Sequence, residues 1–365
     1  RGSAACPARG IHRDQATVSI VTHQDHAAAH HSPQTVHQDT VGAVGELAVL
    51  DRITRRLPAA RAATVGPGDD CAVVTAPDGR FVVTTDMMVH GPDFRWAWSS
   101  PVDVGWKAAA TNLSDVAAMG ARPTALVVTL AVPQDTPVAV LEGIADGLAL
   151  ACDALAPGCG VVGGDLSTSA TTTVSVTAFG DLEGRAPVLR SGARAGDQIA
   201  VAGELGLAAA GLRRLFDEGV DEHGQPDAER TAAFLAASPG GTDLGVERQR
   251  RPQPPIAAGV AAAAAGATAM LDLSDGLAID AGRLARASGV VLDLARAAIP
   301  EEQPLRGGED HGLFVTFPAG VCLPAGFRWI GTVRAAVEGP GVRLDGDRVG
   351  TDGWDPYADW DGAGG

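Results

Sequence analysis

The sequence predicts an α/β (α+β) protein of two domains: an N-terminal mixed sheet with helices on one face, then a C-terminal α/β sandwich domain. Three observations predict it. Apolar, strand-like runs alternate with helical periods through both halves of the chain. A polar, glycine-rich connector, "GRAPVLRSGARAGD" at 184–197, interrupts that alternation once. The 365 residues, 45% of them apolar, are enough for two cores of ordinary size. The expected divisions are an extension over 1–40, a first domain over 41–184 and a second over 185–360.

The extension holds six of the nine histidines (His12, His23, His26, His30, His31, His37) and no sustained apolar period. It reads either as a metal-binding tract or, preferred here, as a segment without a packed core. It lacks the apolar centre of a signal peptide. Globular patterning begins near Val41. "GELAVLDRITRRL" puts Leu47, Leu50, Ile53 and Leu57 on one helical face. "CAVVTA" and "RFVVTTD" read as strands joined by the Pro-Asp-Gly turn at 77–79. Residues 100–121 read as a helix, with Ser100 as its cap and Gly120 near its end. A strand follows at 124–133, a helix at 137–151, and strands "GVVGGD" and "TTVSVTAFGDL". After the connector come the strand "QIAVAG" and helices near 205–217, 228–237 and 255–266. The strand "AMLDLS", a helix at 276–287, and strands "VVLDL", "LFVTFP" and "FRWIGTV" complete the pattern. Residues 218–254, rich in Gly, Pro and charge, are expected to include a mobile segment. The tail 351–365 is rich in Gly and Asp and carries two tryptophans. No internal repeat is visible.

Composition excludes several functions. Carboxylates outnumber Lys and Arg by 44 to 28, a formal charge of −16, which opposes non-specific nucleic-acid binding. No run of about 18 strongly apolar residues is present, so no membrane span is expected. Lys107 is the only lysine, and its surroundings, "VGWKAAA", do not fit a P-loop. The five cysteines form no CxxC pair, which argues against zinc ribbons and fits reduced thiols in a cytoplasmic protein.

One pattern recurs: an apolar strand borders a small-residue turn that carries aspartate. "GPGDD" gives Asp69 and Asp70, "VVTTD" gives Thr84, Thr85 and Asp86, and "GVVGGD" ends in Asp165. "LDLSDG" gives Asp272, Ser274 and Asp275; "TNLSD" puts Thr111 and Asp115 in a helix; "RGGED" gives Glu309 and Asp310. Any one of these is explained by a turn or a helix cap. Together they imply several carboxylates brought close, which is costly without cations. Oxygen donors without Cys or His suit a hard ion such as Mg²⁺, which shares its shell with phosphates. The chemistry suggested is phosphoryl transfer by positioning and charge neutralisation.

"GPGDDCAVV", "VVTTDMMV", "KAAATNLSDVAAMGARP", "VVGGD", "VLRSGARAGD", "LDLSDGL" and "GGED" occur in the order seen in thiamine-monophosphate kinases, and the chain resembles that family over about 41–360. The family lies in the ATP-binding superfamily named for aminoimidazole ribonucleotide synthetase. The resemblance implies ATP-dependent phosphorylation of thiamine monophosphate to thiamine diphosphate, with several Mg²⁺ ions and no covalent intermediate. It implies a homodimer whose N-terminal sheets join into a barrel, with ATP near the subunit interface. By motif, Asp70, Thr84, Thr85, Asp86, Asp115, Asp165, Asp272 and Asp275 would hold Mg²⁺. Of these, Asp70, Asp86, Asp115 and Asp272 would carry catalysis. Arg190 and Ser274 would contact ATP. Glu309, Trp360 and the position of Asp93 would face the thiamine portion, Trp360 by cation–π contact with the thiazolium.

The chain departs from the family in three places. Asp93, in "GPDFRW", stands where the family has a substrate-contacting His, and His90 would need a three-residue shift to replace it. Only 33 residues, 276–308, separate Asp275 from Glu309, with Arg306 where Ser is usual, so a helix or loop near the acceptor pocket is expected to be absent. The extension 1–40 has no counterpart. Two other functions stay open. One is a superfamily relative that uses ATP on a formylglycinamidine-, selenium- or carbamoyl-type acceptor. The selenium and carbamoyl readings favour a reactive Cys near the N-terminus or a Cys-ended tail, whereas Cys6 lies in the extension and the chain ends Gly-Gly. The other is a non-catalytic nucleotide- or thiamine-phosphate-binding protein.

Overall fold

The structure, a computed structural model, describes residues 39–67, 72–299 and 303–350. Residues 1–38 of the histidine-rich extension, Asp69, Asp70 and both tail tryptophans lie outside the described residues.

The expected first helix is broken in two. Gly45, at φ 84°, separates α1 (Val41–Val44) from α2 (Glu46–Thr54). The break resets the buried face: Val49 and Ile53 are buried, while Leu47 is 82% exposed, against the expected apolar face. Next come β1 (Ala63–Val65), β2 (Val73–Val74) and β3 (Val82–Val89). The turn at 76–79 forms, but it joins strands of different sheets: β2 pairs with β1 and β3 does not.

Helix α3 (Pro101–Ala118) begins with Ser100 and Asp103 capping each other's backbone N–H groups and with Pro at its first position. Gly120, at φ 73°, follows its end, as expected. Then follow β4 (Arg122–Val132), α4 (Val138–Leu155), β5 (Gly160–Thr168) and β6 (Thr173–Asp181). The four long strands form a mixed sheet in the order β3-β6-β4-β5, with only β4 and β5 parallel. Both α3 and α4 pack against one face of it. Their backbones almost touch. A Cβ built on Gly105 would lie 2.0 Å from the Ile144 carbonyl oxygen, and one on Gly147 would lie 2.1 Å from that of Val102.

The second half holds β7 (Gln198–Ala202), α5 (Leu207–Glu218), α6 (Ala228–Ala237), α7 (Leu244–Arg250), α8 (Ile256–Ala264) and β8 (Ala269–Leu273). It continues with α9 (Leu277–Ser288), β9 (Val290–Leu294), α10 (Gln303–Arg306) and β10 (Gly312–Phe317). The last strands are β11 (Phe327–Ala335), β12 (Gly341–Leu344) and β13 (Asp347–Arg348). Seven strands form one sheet, β13-β12-β9-β11-β7-β10-β8. Strands β7, β10 and β8 are buried almost throughout and largely apolar, because both faces are covered there. Ile199 and Val201 face the core under α9, while Ala200 and Ala202 face the one under α8. The segment expected to include a mobile stretch contains the unexpected helix α7, packed against α5. Two tryptophans tie the halves together: Trp98 donates to the Gly219 carbonyl and Trp106 to that of Pro252, each at 2.8 Å. Arg251 pairs with Asp103 beside them.

Candidate active site

Helix α3 is buried almost all round, yet it carries Lys107, Thr111, Asn112 and Ser114 among its alanines, each under 9% exposed. Buried polar groups need partners, and most of these find them outside the helix. Asn112 Oδ1 accepts the Asp86 backbone N–H at 3.1 Å. Ser114 Oγ donates toward Asp272 Oδ2 at 3.4 Å and the His311 carbonyl at 3.3 Å. One residue on, Asp115 accepts from the Thr84 hydroxyl at 2.7 Å.

The acidic strand residues do not all sit at strand ends, as the sequence suggested. Strand β3 runs on to Val89 and β5 to Thr168, so Thr84–Asp86 and Asp165 are mid-strand. Alternation along a strand then sends neighbours to opposite faces. Thr84 and Asp86 meet α3. The Thr85 hydroxyl instead lies 3.0 Å from that of Thr177, on the other face. Asp165, exposed on the edge strand β5, lines a groove of about 560 Å³ on that outer face beside Phe179 and also borders a cavity of about 420 Å³ against α2 and α4. Among the described residues the predicted ligands therefore fall into two groups.

The inner group converges on two turns. The first follows β8: Asp272 is buried within the strand's last residues, and Ser274 and Asp275 leave it. Neither Ser274 nor Asp275 caps α9. Asp280 reaches back instead, its Oδ2 accepting from the N–H groups of Asp275 at 3.0 Å and Gly276 at 3.1 Å. Asp275 pairs with Arg283 at 2.5 Å. Gly276 is held at φ 119°, where a side chain would be strained. The second turn spans 307–311. Glu309 and His311 adopt φ of 71° and 52°, uncommon for residues with side chains. The turn is laid on the first by Glu309 N–H to the Ser274 carbonyl (2.7 Å) and His311 N–H to that of Leu273 (2.9 Å). A Cβ on Gly308 would meet the Ser274 oxygen at 2.6 Å. Asp310 accepts from Gly206 and Ala208 at the start of α5. His311 is buried, with Nδ1 3.4 Å from Asp272. Glu309 forms an ion pair with Lys107.

Charge is concentrated here. Burial, then the neighbouring Asp272, pushes the Asp115 carboxyl up to about 7. Asp86 is raised for the same two reasons. Burial also lifts Asp280 to about 6 and raises Asp93 and Asp310. Carboxylates that raise one another are relieved by a bound cation. Among the described residues, no three His, Cys, Asp or Glu side chains are placed to hold a metal ion by themselves. Mg²⁺ nevertheless fits the donors, since it keeps water and phosphate in its shell and needs only one or two carboxylates. Asp115 carries a testable consequence. Its folded value lies above its unfolded one, so metal-free stability falls as pH rises from about 4 through about 7. Asp115→Asn keeps an acceptor for Thr84 and removes the repulsion. The metal-free variant is expected to be more stable than the parent at pH 8 by about 1–3 kcal/mol, with little difference at pH 4.5, in urea titrations at the two pH values.

The remaining predicted residues are more scattered. Arg190 is exposed on the connector, and its carbonyl accepts from Ser288. Asp93 turns one carboxylate oxygen onto the Val89 N–H at 2.7 Å. Asp70 and Trp360 lie outside the described residues. Segment 276–308 still contains α9, β9 and α10. Sequence reasoning missed Lys107, Asn112, Ser114, Asp280 and His311 as parts of the site. For Lys107, Asn112 and Ser114 the available signal was a run of polar residues inside an otherwise apolar helix.

Residues 68–182 match the family model "AIR synthase related protein, N-terminal domain". The thiamine-monophosphate kinase of Mycobacterium tuberculosis is 43% identical over 358 residues, covering 93% of this chain and 96% of the relative. Among solved structures, the thiamine-monophosphate kinase of Stenotrophomonas maltophilia K279a superposes with TM-score 0.68 at 30% identity, over 82% of this chain and 97% of that one. A structure of AaThiL complexed with AMPPCP and TMP gives TM-score 0.64 at 32% identity, over 85% and 96%.

Proposed function

The chain belongs to the thiamine-monophosphate kinase family, and from that premise we propose that it transfers the γ-phosphoryl group of ATP to thiamine monophosphate, giving thiamine diphosphate and ADP. The observation that carries this reading is the junction of the 272–275 and 307–311 turns at α3. It sets a repelling carboxylate cluster beside a Glu309 held by an ion pair. The first suits a metal-bound triphosphate, the second a cationic acceptor. A phosphate monoester is already ionised near neutral pH, so its oxygen can attack the γ-phosphorus while the bond to the β-phosphate oxygen breaks. No general base is needed for that attack.

The residues divide the work. Asp86, Asp115 and Asp272, with Thr84, would hold Mg²⁺ on the inner side; Asp275 would extend that set, and Asp70 joins it by motif alone. Bound magnesium would neutralise the triphosphate and the charge that develops on transfer. Ser274 and Arg190 would bind ATP, Arg190 through its planar fork. Asp93, Glu309 and Trp360 would line the acceptor pocket. Thr85 and Asp165, on the outer sheet face, would reach the nucleotide only where a second subunit closes that face. Supporting a homodimer, Phe81 just before β3 and Val83 and Met87 on it are each more than half exposed. The reading keeps a first domain over 41–184 and a second over 185–360. Among the described residues no helix is long and apolar enough to cross a membrane; we place the reaction in the cytoplasm, where ATP and Mg²⁺ are available.

Purified protein with ATP, Mg²⁺ and thiamine monophosphate is expected to release thiamine diphosphate and ADP in equal amounts and to stop on chelation. ATP binding without that product, or turnover only with another acceptor, overturns the reading. For the dimer, sedimentation should give twice the chain mass, and Met87→Glu should shift it to one chain mass. A wild-type protein that sediments as a monomer refutes the pairing.

A further inference from the structure

Lys107 is the chain's only lysine and is buried, 4% exposed, on α3. Its ammonium group contacts both residues assigned to the acceptor end. It is ion-paired with Glu309, and it donates toward the Asp93 carbonyl at 3.5 Å. Eight residues further along the same helix is Asp115, about 12 Å away by helical rise. One helix thus joins the acceptor end of the site to the metal end.

Glu309 is held where an acidic side chain is hard to keep. Its backbone is left-handed, and its Oε2 is buried with no hydrogen-bond partner among the described residues beyond the contact with Lys107. Burial works to raise its pKa, but Lys107 and then His311 more than reverse this, and the carboxyl lies below its ordinary value. The Glu309 side chain as a whole is 41% exposed, but its Oε2 is turned inward onto Lys107, and a carboxylate whose one strong partner is a lysine from another element takes its orientation from that lysine.

We infer that Lys107 is a positioning residue for the acceptor: it fixes the Glu309 carboxylate at the acceptor end, and through it the site selects acceptors that carry a cationic or N–H-donating ring beside their phosphate. This rests on the kinase reading above. Lys107 itself stays out of ATP and metal binding.

The test is steady-state kinetics in both substrates, with melting temperatures alongside. Lys107→Met is expected to raise KM for thiamine monophosphate by about tenfold or more, with KM for ATP unchanged and kcat reduced less. Lys107→Arg, which keeps the charge, should recover most of that loss. In Lys107→Met/Glu309→Gln the thiamine monophosphate KM should be no worse than in Glu309→Gln alone, because Lys107 acts through Glu309. The double variant also loses both charges together, so it tests the inference even if Lys107→Met does not fold. The reversed pair Lys107→Glu/Glu309→Lys should recover melting temperature but not the KM. A purely structural ion pair would shift both KM values together, or be fully rescued by the reversed pair; either result overturns the inference. So does a double variant about tenfold worse than Glu309→Gln. A wild-type protein that forms no thiamine diphosphate instead overturns the kinase reading.

Discussion

Replacing Asp272 with alanine is expected to lower kcat for thiamine diphosphate formation by about 10³-fold or more, while the protein stays folded. Asp272 is 5% exposed, and its carboxylate is approached by Ser114 Oγ and His311 Nδ1. It is the next cause after burial for the raised Asp86 and Asp115 carboxyls. Its negative charge therefore raises the energy of the empty site and would lower that of the metal-loaded one. Removing it should weaken Mg²⁺-dependent nucleotide binding in calorimetry. Metal-free stability should hold or rise at pH 8, because Asp86 and Asp115 lose a repelling neighbour. Asp272→Asn separates charge from shape. It keeps the volume and an acceptor oxygen, and it should lose nearly as much turnover as alanine. A variant within tenfold of wild type would refute the role, and so would a loss of turnover that tracks a falling melting temperature.

The second large effect falls on folding. Gly105→Val should abolish the folded protein or destabilise it by about 4 kcal/mol or more. The new Cβ would start 2.0 Å from the Ile144 carbonyl oxygen, where real Cβ atoms do not come within 3.0 Å. The obstacle is backbone, so no rotamer change relieves it. Helices α3 and α4 would have to separate, and α3 carries Lys107, Asn112, Ser114 and Asp115. Soluble yield and urea unfolding check this. Gly105→Ala should already shift the midpoint downward, since it brings the same Cβ. A valine variant that unfolds within 1 kcal/mol of wild type would show that the helices have room the structure denies.

Much of the fold could be read in advance because its signals are local. Ser100 and Gly120 bracket α3 as their capping chemistry requires, and the buried strands β7, β8 and β10 show as largely apolar runs, broken by Asp272 in β8 and Thr316 in β10. Where a non-local choice intervened, the reading slipped. Leu47 fits the helical period but is exposed, because α2 starts afresh after Gly45. Helix α7 escaped notice in a polar stretch, because what stabilises it is contact with α5 rather than its own periodicity.

By itself the sequence determined the mixed α/β plan, the absence of a P-loop and the set of acidic motifs. Those follow from residue type and spacing, which need no third dimension. Only the tertiary structure decided which acids meet. Strand continuation past Asp86 and Asp165 turns Thr85 and Asp165 away from Thr84, Asp86, Asp115 and Asp272. Likewise, only the fold brings Lys107 to Glu309, some two hundred residues apart in the chain. Pairing of this kind depends on where strands cross and turns stack, and repulsion or attraction between charges acts through space, whatever their separation in sequence.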